Sequence, residues 1–313
     1  MIHQQKGNGV ANGKIILLGE HSVVYGKPSI ALPFQAVTTQ TLVTTSQEKT
    51  EIHCDFYHGL IDDLPELLES LREVVRLCLV TLNQESTPIN ITIDSQIPAE
   101  RGMGSSAAVA VATTRAIFDF FKSPLTDELL LEIVGISEKI AHGNPSGLDA
   151  LMTSGHRSVC FIKNQPPRDI ELNLSAFLVV ADTGITGQTK EAVSSLSKKL
   201  ETCETGYFQD IIDKLGHLTY DGLSYLQHNQ PEKLGQVMNQ THNLLKELDI
   251  SSPELDILVN SALDHNALGA KLTGGGRGGC MIALAKNKDD AKNIAQELKH
   301  AGAKQTWLYE MSE

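Results

Sequence analysis

The chain has 313 residues, enough for about two domains, and its 41% hydrophobic and 20% charged composition excludes disorder as the dominant state. Its 38 acidic and 26 basic side chains leave a formal charge of -12, a surface that repels phosphate backbones and anionic membranes. Neither nucleic acid nor a membrane is therefore an expected partner, and an anionic ligand has to be held by local donors, a metal or a few placed cations.

Residues 15–18 form an apolar run between Gly13 and Gly19, which predicts a strand buried on both faces. Residues 28–56 are rich in Thr, Val and Ile and read as a β ribbon, and 64–82 have helical spacing. Ile89, Ile91 and Ile93 alternate with polar residues, as in a half-buried strand ending at Pro98. A glycine-rich turn at 102–106 opens a helical stretch to about Phe121, and a second helix spans 126–142. A loop with Asn144, Pro145 and Gly147 follows, then a strand over 157–162 and a surface connection over 163–168. Helical patterns fill most of 189–266, with breaks at Gly206, Pro231 and Pro253. The remainder alternates: a strand into Lys271 and Leu272, a glycine turn, a strand over 280–284, a helix from Asp289 and a strand near Trp307. The boundary between halves falls near residues 165–177, giving 1–170 and 171–313.

The cysteines Cys54, Cys78, Cys160, Cys203 and Cys280 are scattered, with no C-x-x-C pair, which argues against a disulfide framework or a structural zinc. The first ten residues lack the pattern of a secretory signal, and apolar stretches fall far short of the ~20 residues of a membrane span. The expectation is a reduced, cytoplasmic protein.

The strongest local motif is PAERGMGSSAA at 98–108. Glycines after a strand let the backbone approach a ligand, and the helix that follows offers free N–H groups and a positive dipole end for phosphate. Ser105 and Ser106 could cap that helix or give a hydroxyl to magnesium; a plain serine cap would leave the same pattern. The segment matches neither a Walker A loop nor the dinucleotide fingerprint. Two further motifs stand at 13–26 (GKIILLGEHSVVYG) and 271–280 (KLTGGGRGGC).

In this order and at these separations, the three motifs resemble the GHMP family of small-molecule kinases. Residues 13–32 and the loop GNPSGLD at 143–149 look most like its mevalonate-phosphorylating branch. Two positions depart from the family's usual glycine: Glu100 and Arg277. The resemblance implies an α+β GHMP kinase fold, with a ribosomal-protein-S5-like N-terminal domain, a ferredoxin-like C-terminal domain and ligands in the cleft between them. It implies ATP-dependent phosphorylation of (R)-mevalonate at its 5-hydroxyl, with Mg2+ as cofactor. The expected partners are a small-molecule substrate and ATP, with a homodimer left open. The alternatives are a family member acting on an already phosphorylated substrate, or a non-catalytic sensor on the same fold.

On residues alone, Asp149 reads as a helix N-cap; the resemblance makes it the base facing the substrate hydroxyl. Glu138 lies on an apolar helix line with Leu131, Val134 and Ala141, where a carboxylate is costly unless paired or metal-bound. By resemblance it ligates magnesium together with Ser106. Lys14 starts a buried strand and by resemblance stabilises the transferred charge, completing a catalytic pair with Asp149. Gly102, Met103, Gly104, Ser105, Ser106, Ala107, Gly274 and Gly275 are implied to hold ATP. Glu20, His21, Ser146, Asp149 and Thr183 are implied on the substrate side, although His21 reads equally well as a structural histidine. The segment 271–280 is expected to fold over the nucleotide phosphates.

Overall fold

The computed structural model describes residues 5–143 and 145–312, so Asn144 of the loop at 143–149 lies outside the described residues. The chain forms two compact units that interleave in sequence. One holds the residues up to Gly13, Val37–Pro98 and Gly104–Gly155; the other holds Lys14–Ala36, Ala99–Met103 and the residues from His156 onward.

The first unit draws on β1 (Lys6–Leu18), β2 (Ser29–Thr45), β3 (Glu51–Cys54), β4 (Tyr57–Leu60), α1 (Glu69–Thr81) and β5 (Ile89–Ser95), then α2 (Ser105–Phe120), α3 (Asp127–His142) and α4 (Leu148–Ser154). Its strand order is β4-β3-β5-β2, and β1 pairs with β2. β2 and β5 are antiparallel from Thr39↔Ser95 to Thr45↔Ile89, whereas β3 and β5 are parallel. A parallel pair needs a crossover, and α1 lies in that connection. Ile89, Ile91 and Ile93 turn inward as their alternation predicts, and α1, α2 and α3 pack on one another.

The first strand begins at Lys6, well before the apolar run from which it was predicted. Its early part carries no strand signal, because Gly7 and Gly9 are poor strand formers. The structure supplies the reason for both: a Cβ on Gly7 would drive into Ala116 O and Phe120 N, and one on Gly9 into Ala112 O. Only glycine lets this edge of β1 lie directly on the backbone of α2.

The second unit contains β6 (Val159–Phe161), β7 (Arg168–Asp169), β8 (Asn173–Asp182), α5 (Thr189–Thr202), α6 (Tyr207–Gln227), α7 (Pro231–Glu247) and α8 (Pro253–Asp264). It continues with β9 (Gly269–Thr273), β10 (Cys280–Ala285), α9 (Lys288–His300) and β11 (Gln305–Ser312). The predicted breaks are helix starts. Gly206 is a left-handed N-cap with φ 72°, and Pro231 and Pro253 open α7 and α8 in the first turn, where a missing N–H costs nothing. The sheet order β11-β8-β10-β9 is antiparallel throughout, with α9 linking β10 to β11. This is the split βαβ arrangement of a ferredoxin-like domain. Its core runs from Val179 and Ala181 through Leu245 and Leu272 to Leu298, and Phe34 packs edge-on to Trp307 at 6.4 Å. Among the described residues, no helix is long and apolar enough to cross a membrane.

β9 is an edge strand, and α7 covers its open side. Gly235, Asn239 and His242 share one face of α7 at helical spacing. The N–H of Ala270 donates to Asn239 Oδ1 at 2.8 Å, and that of Leu272 to His242 Nδ1 at 3.4 Å. Gly235 meets Leu268 and Gly269 backbone to backbone, with no room for a Cβ on either glycine. Gly235→Ala is expected to destabilise the chain by about 3 kcal/mol, because no rotamer change can relieve a backbone clash. In a solvent-facing helix the same change adds about 1 kcal/mol, so the sign of the shift in denaturation midpoint is diagnostic. An unchanged or raised midpoint would show that α7 can leave β9 at no cost.

Candidate active site

Within the second unit the three sequence-distant motifs meet. Ile16 exchanges two hydrogen bonds with Thr273: its N–H donates to Oγ1 at 3.2 Å and its carbonyl accepts from that hydroxyl at 2.9 Å. Lys14 is buried, and its N–H donates to Met103 O at 3.0 Å. Gly102 and Gly274, both with positive φ, sit so close that a Cβ on Gly274 would come within 2.7 Å of Gly102 Cα. A side chain at either position would part the second motif from the third. Gly275 lies as tightly against Thr189, the first residue of α5, and the N–H of Gln188 donates to Gly276 O at 3.2 Å.

Glu20 and His21 reach the same turn from the first motif. Both are buried, and Glu20 forms an ion pair with Lys271, whose side chain is likewise fully enclosed. His21 Nε2 lies 3.0 Å from Gly275 O. A carbonyl can only accept, so Nε2 carries the hydrogen. Burial pulls the His21 imidazole down to about 4, and the positive charges of Arg277 and Lys271 add to that fall. The ring is thus neutral at physiological pH, and its backbone is left-handed at φ 58°.

Thr183 follows β8, where its hydroxyl donates to Gly279 O at 2.7 Å and accepts from the N–H of Ile185 at 3.2 Å. The segment 182–184 is fixed further by Arg101, whose Nε lies 3.1 Å from Asp182 Oδ1 and whose Nη2 donates to Gly184 O at 2.9 Å. The two departures from glycine, Glu100 and Arg277, take left-handed φ values of 56° and 55°. Glycine would enter those turns without strain, and each side chain there costs roughly 1–2 kcal/mol. Arg277 offsets part of that by donating from Nε to Asp249 O at 2.9 Å.

The first unit carries the remaining candidates. α2 opens at Ser105 with Gly104, φ 75°, as its N-cap and no side-chain cap, so neither serine closes the helix. Ser105 and Ser106 stand in its first turn, half-buried, and Ala107 is fully buried behind them. The helix start therefore keeps backbone donors for an anion. Glu138 is buried on α3, with His142 Nε2 at 3.8 Å. Ser146 Oγ accepts from the N–H of Leu148 at 3.3 Å. Asp149 is not an N-cap: that position belongs to Gly147 at φ 85°, and Asp149 stands half-buried inside the first turn of α4.

For a metal, the first unit offers hard oxygen donors in Ser106 and Glu138, which suit magnesium better than a softer ion. Among the described residues, no three His, Cys, Asp or Glu side chains group closely enough to hold an ion alone. That donor set fits a magnesium that takes most of its remaining ligands from water and phosphate.

Lys271, which opens the third motif, is buried, with Nζ on Glu20 and donating to Leu272 O at 2.7 Å. A lysine between Ala270 and Leu272 in an apolar strand signals a buried partner, since a buried charge is costly unless paired. The Arg101–Asp182 pair has no comparable local signal.

Two family models match the chain: GHMP kinases N terminal domain over residues 69–156 and GHMP kinases C terminal over 223–304. A mevalonate kinase from Pyrococcus furiosus is 33% identical, covering 93% of this chain and 92% of its own length. The structure of mevalonate kinase from methicillin-resistant Staphylococcus aureus is 32% identical, with TM-score 0.74, covering 99% of this chain and all of that one (100%). That of L. major mevalonate kinase in complex with R-mevalonate is 27% identical, with TM-score 0.83 over 99% and 98% of the two chains.

Proposed function

We infer, since the chain belongs to the GHMP kinase family, that it transfers the γ-phosphoryl group of ATP to the 5-hydroxyl of (R)-mevalonate, giving 5-phosphomevalonate and ADP. The observation that carries this reading is the near full-length match to mevalonate kinases. The motif geometry supports it.

Phosphoryl transfer asks the protein mainly for positioning and charge neutralisation. The backbone donors of Gly102, Met103, Gly104, Ser105, Ser106 and Ala107, with the glycines Gly274 and Gly275, cradle the phosphates of ATP. Glu20, His21, Ser146 and Thr183 position mevalonate. Asp149 accepts the proton of the 5-hydroxyl as its oxygen bonds the γ-phosphorus and the bond to the ADP oxygen breaks. Lys14 stabilises the negative charge in transit. Ser106 and Glu138 hold magnesium, which when bound neutralises phosphate charge. Functionally the chain divides near residue 170, with the phosphate loop in 1–170 and the C-terminal kinase domain in 171–313; the two family matches fall on either side. We place the enzyme in the cytoplasm.

The test is a coupled ADP-release assay with mevalonate, phosphomevalonate, homoserine and galactose. kcat/KM with mevalonate is expected to exceed that with every other alcohol. A clear preference for phosphomevalonate would overturn the substrate assignment and leave the family intact.

A further inference from the structure

The Glu20–Lys271 pair is buried on both sides, with no exposed side-chain surface. Such a pair is a poor source of stability, because desolvating two charges roughly cancels their attraction. Its geometry is also unfinished. Lys271 Nζ bonds Glu20 Oε1 and Leu272 O, while Glu20 Oε2 is buried with no hydrogen-bond partner among the described residues. A carboxylate oxygen stripped of water and left unpaired is costly. A ligand donor can supply what the chain withholds.

We propose that Lys271 is a positioning residue for substrate: it fixes Glu20 as a carboxylate with Oε1 engaged and leaves Oε2 as the acceptor for a hydroxyl of mevalonate. This rests on the kinase reading above and adds a residue to it. The cation is itself held firmly. β9 is fastened along its edge by Asn239 and His242 of α7, and Leu272, which accepts from Lys271, gives its N–H to His242.

The charges around the pair are few. Lys271 faces Glu20 from β9 and Lys14 acts on it from β1, while His21 follows it in sequence. His242 neighbours Lys271 from α7, but burial pulls its imidazole down to about 4, so it is neutral near pH 7. Arg277 bears on His21 rather than on Glu20. Burial pushes the Glu20 carboxyl up, and Lys271 is the principal group opposing that rise, ahead of Lys14. Without Lys271, the carboxylate form persists only at higher pH.

The experiment compares wild type, Lys271→Met, Glu20→Gln and the double variant by steady-state kinetics against mevalonate and ATP. Wild-type turnover of mevalonate is measured first; its absence would count against the kinase reading rather than against the pair. Lys271→Met is expected to raise KM for mevalonate at least about tenfold, leave KM for ATP within about twofold, and shift the acid limb of kcat/KM to higher pH. Replacing both charges with neutral side chains is tolerated better than stranding one, so the double variant keeps the question open to measurement even if Lys271→Met does not fold. Its kcat/KM for mevalonate should equal that of Glu20→Gln alone, since Lys271 acts only through Glu20. Multiplicative losses in the double variant, or a loss confined to ATP, would overturn the proposal.

Discussion

Asp149→Asn is expected to cut kcat by about 10²–10⁴-fold, the range for removing one positioned acid–base group, or roughly 3–5 kcal/mol of barrier. Asparagine keeps the size of the side chain and its capacity to hydrogen-bond, but it cannot take the proton of the substrate hydroxyl. The position lets chemistry be separated from folding. α4 is capped by Gly147 and not by Asp149, so the carboxylate closes no helix end. Removing the charge forfeits its attraction to the helix's first turn, about 0.3–1 kcal/mol. On the proposed reading ATP is held by the glycine–serine loop, so its calorimetric affinity should stay near that of wild type. The expected signature is a collapsed turnover per folded molecule at near-wild-type ATP affinity. A variant with a much lower Tm and intact turnover per folded molecule would make Asp149 structural.

Much of this architecture is legible from periodicity. Ile89, Ile91 and Ile93 announce β5, and Pro231 and Pro253 mark where α7 and α8 begin, because each is a local signal with a local cause. The start of β1 is not legible, since Gly7 and Gly9 are there for the sake of α2, a partner more than a hundred residues away in sequence. The site divides in the same way. The three motifs stand out as glycine patterns, yet no spacing says that Gly102 touches Gly274 or that Lys271 turns inward to Glu20. Glu100 and Arg277 look like interruptions of glycine runs. Their positive φ values show that the backbone keeps the glycine conformation and bears the strain.

Acid should destabilise the second unit well above the pH at which exposed carboxylates titrate. His21 and His242 both belong to it, and burial is the leading cause that lowers each to about 4 from an ordinary 6.5. The unfolded chain takes up these protons near pH 6.5, while the folded chain refuses them until about pH 4. Stability from both is complete above pH 6.5 and is lost as pH falls toward 4, by about 3 kcal/mol for each buried ring. Glu20 works the other way, because its raised carboxyl favours proton uptake in the folded state. Depression of Asp256 adds to the loss only at still lower pH. A loss of this size is a large share of the 5–15 kcal/mol that holds a typical domain together, so the unfolding midpoint should fall steeply between pH 6.5 and 4. His242→Gln isolates one contribution. His242 Nε2 lies 3.2 Å from Asp256 Oδ1, so the glutamine amide can accept from the N–H of Leu272 and donate to Asp256 while carrying no titratable proton. Denaturant titrations at half-unit pH steps should show the slope over this window reduced by about half in the variant. An unaltered slope would mean that His242 takes up its proton equally in both states.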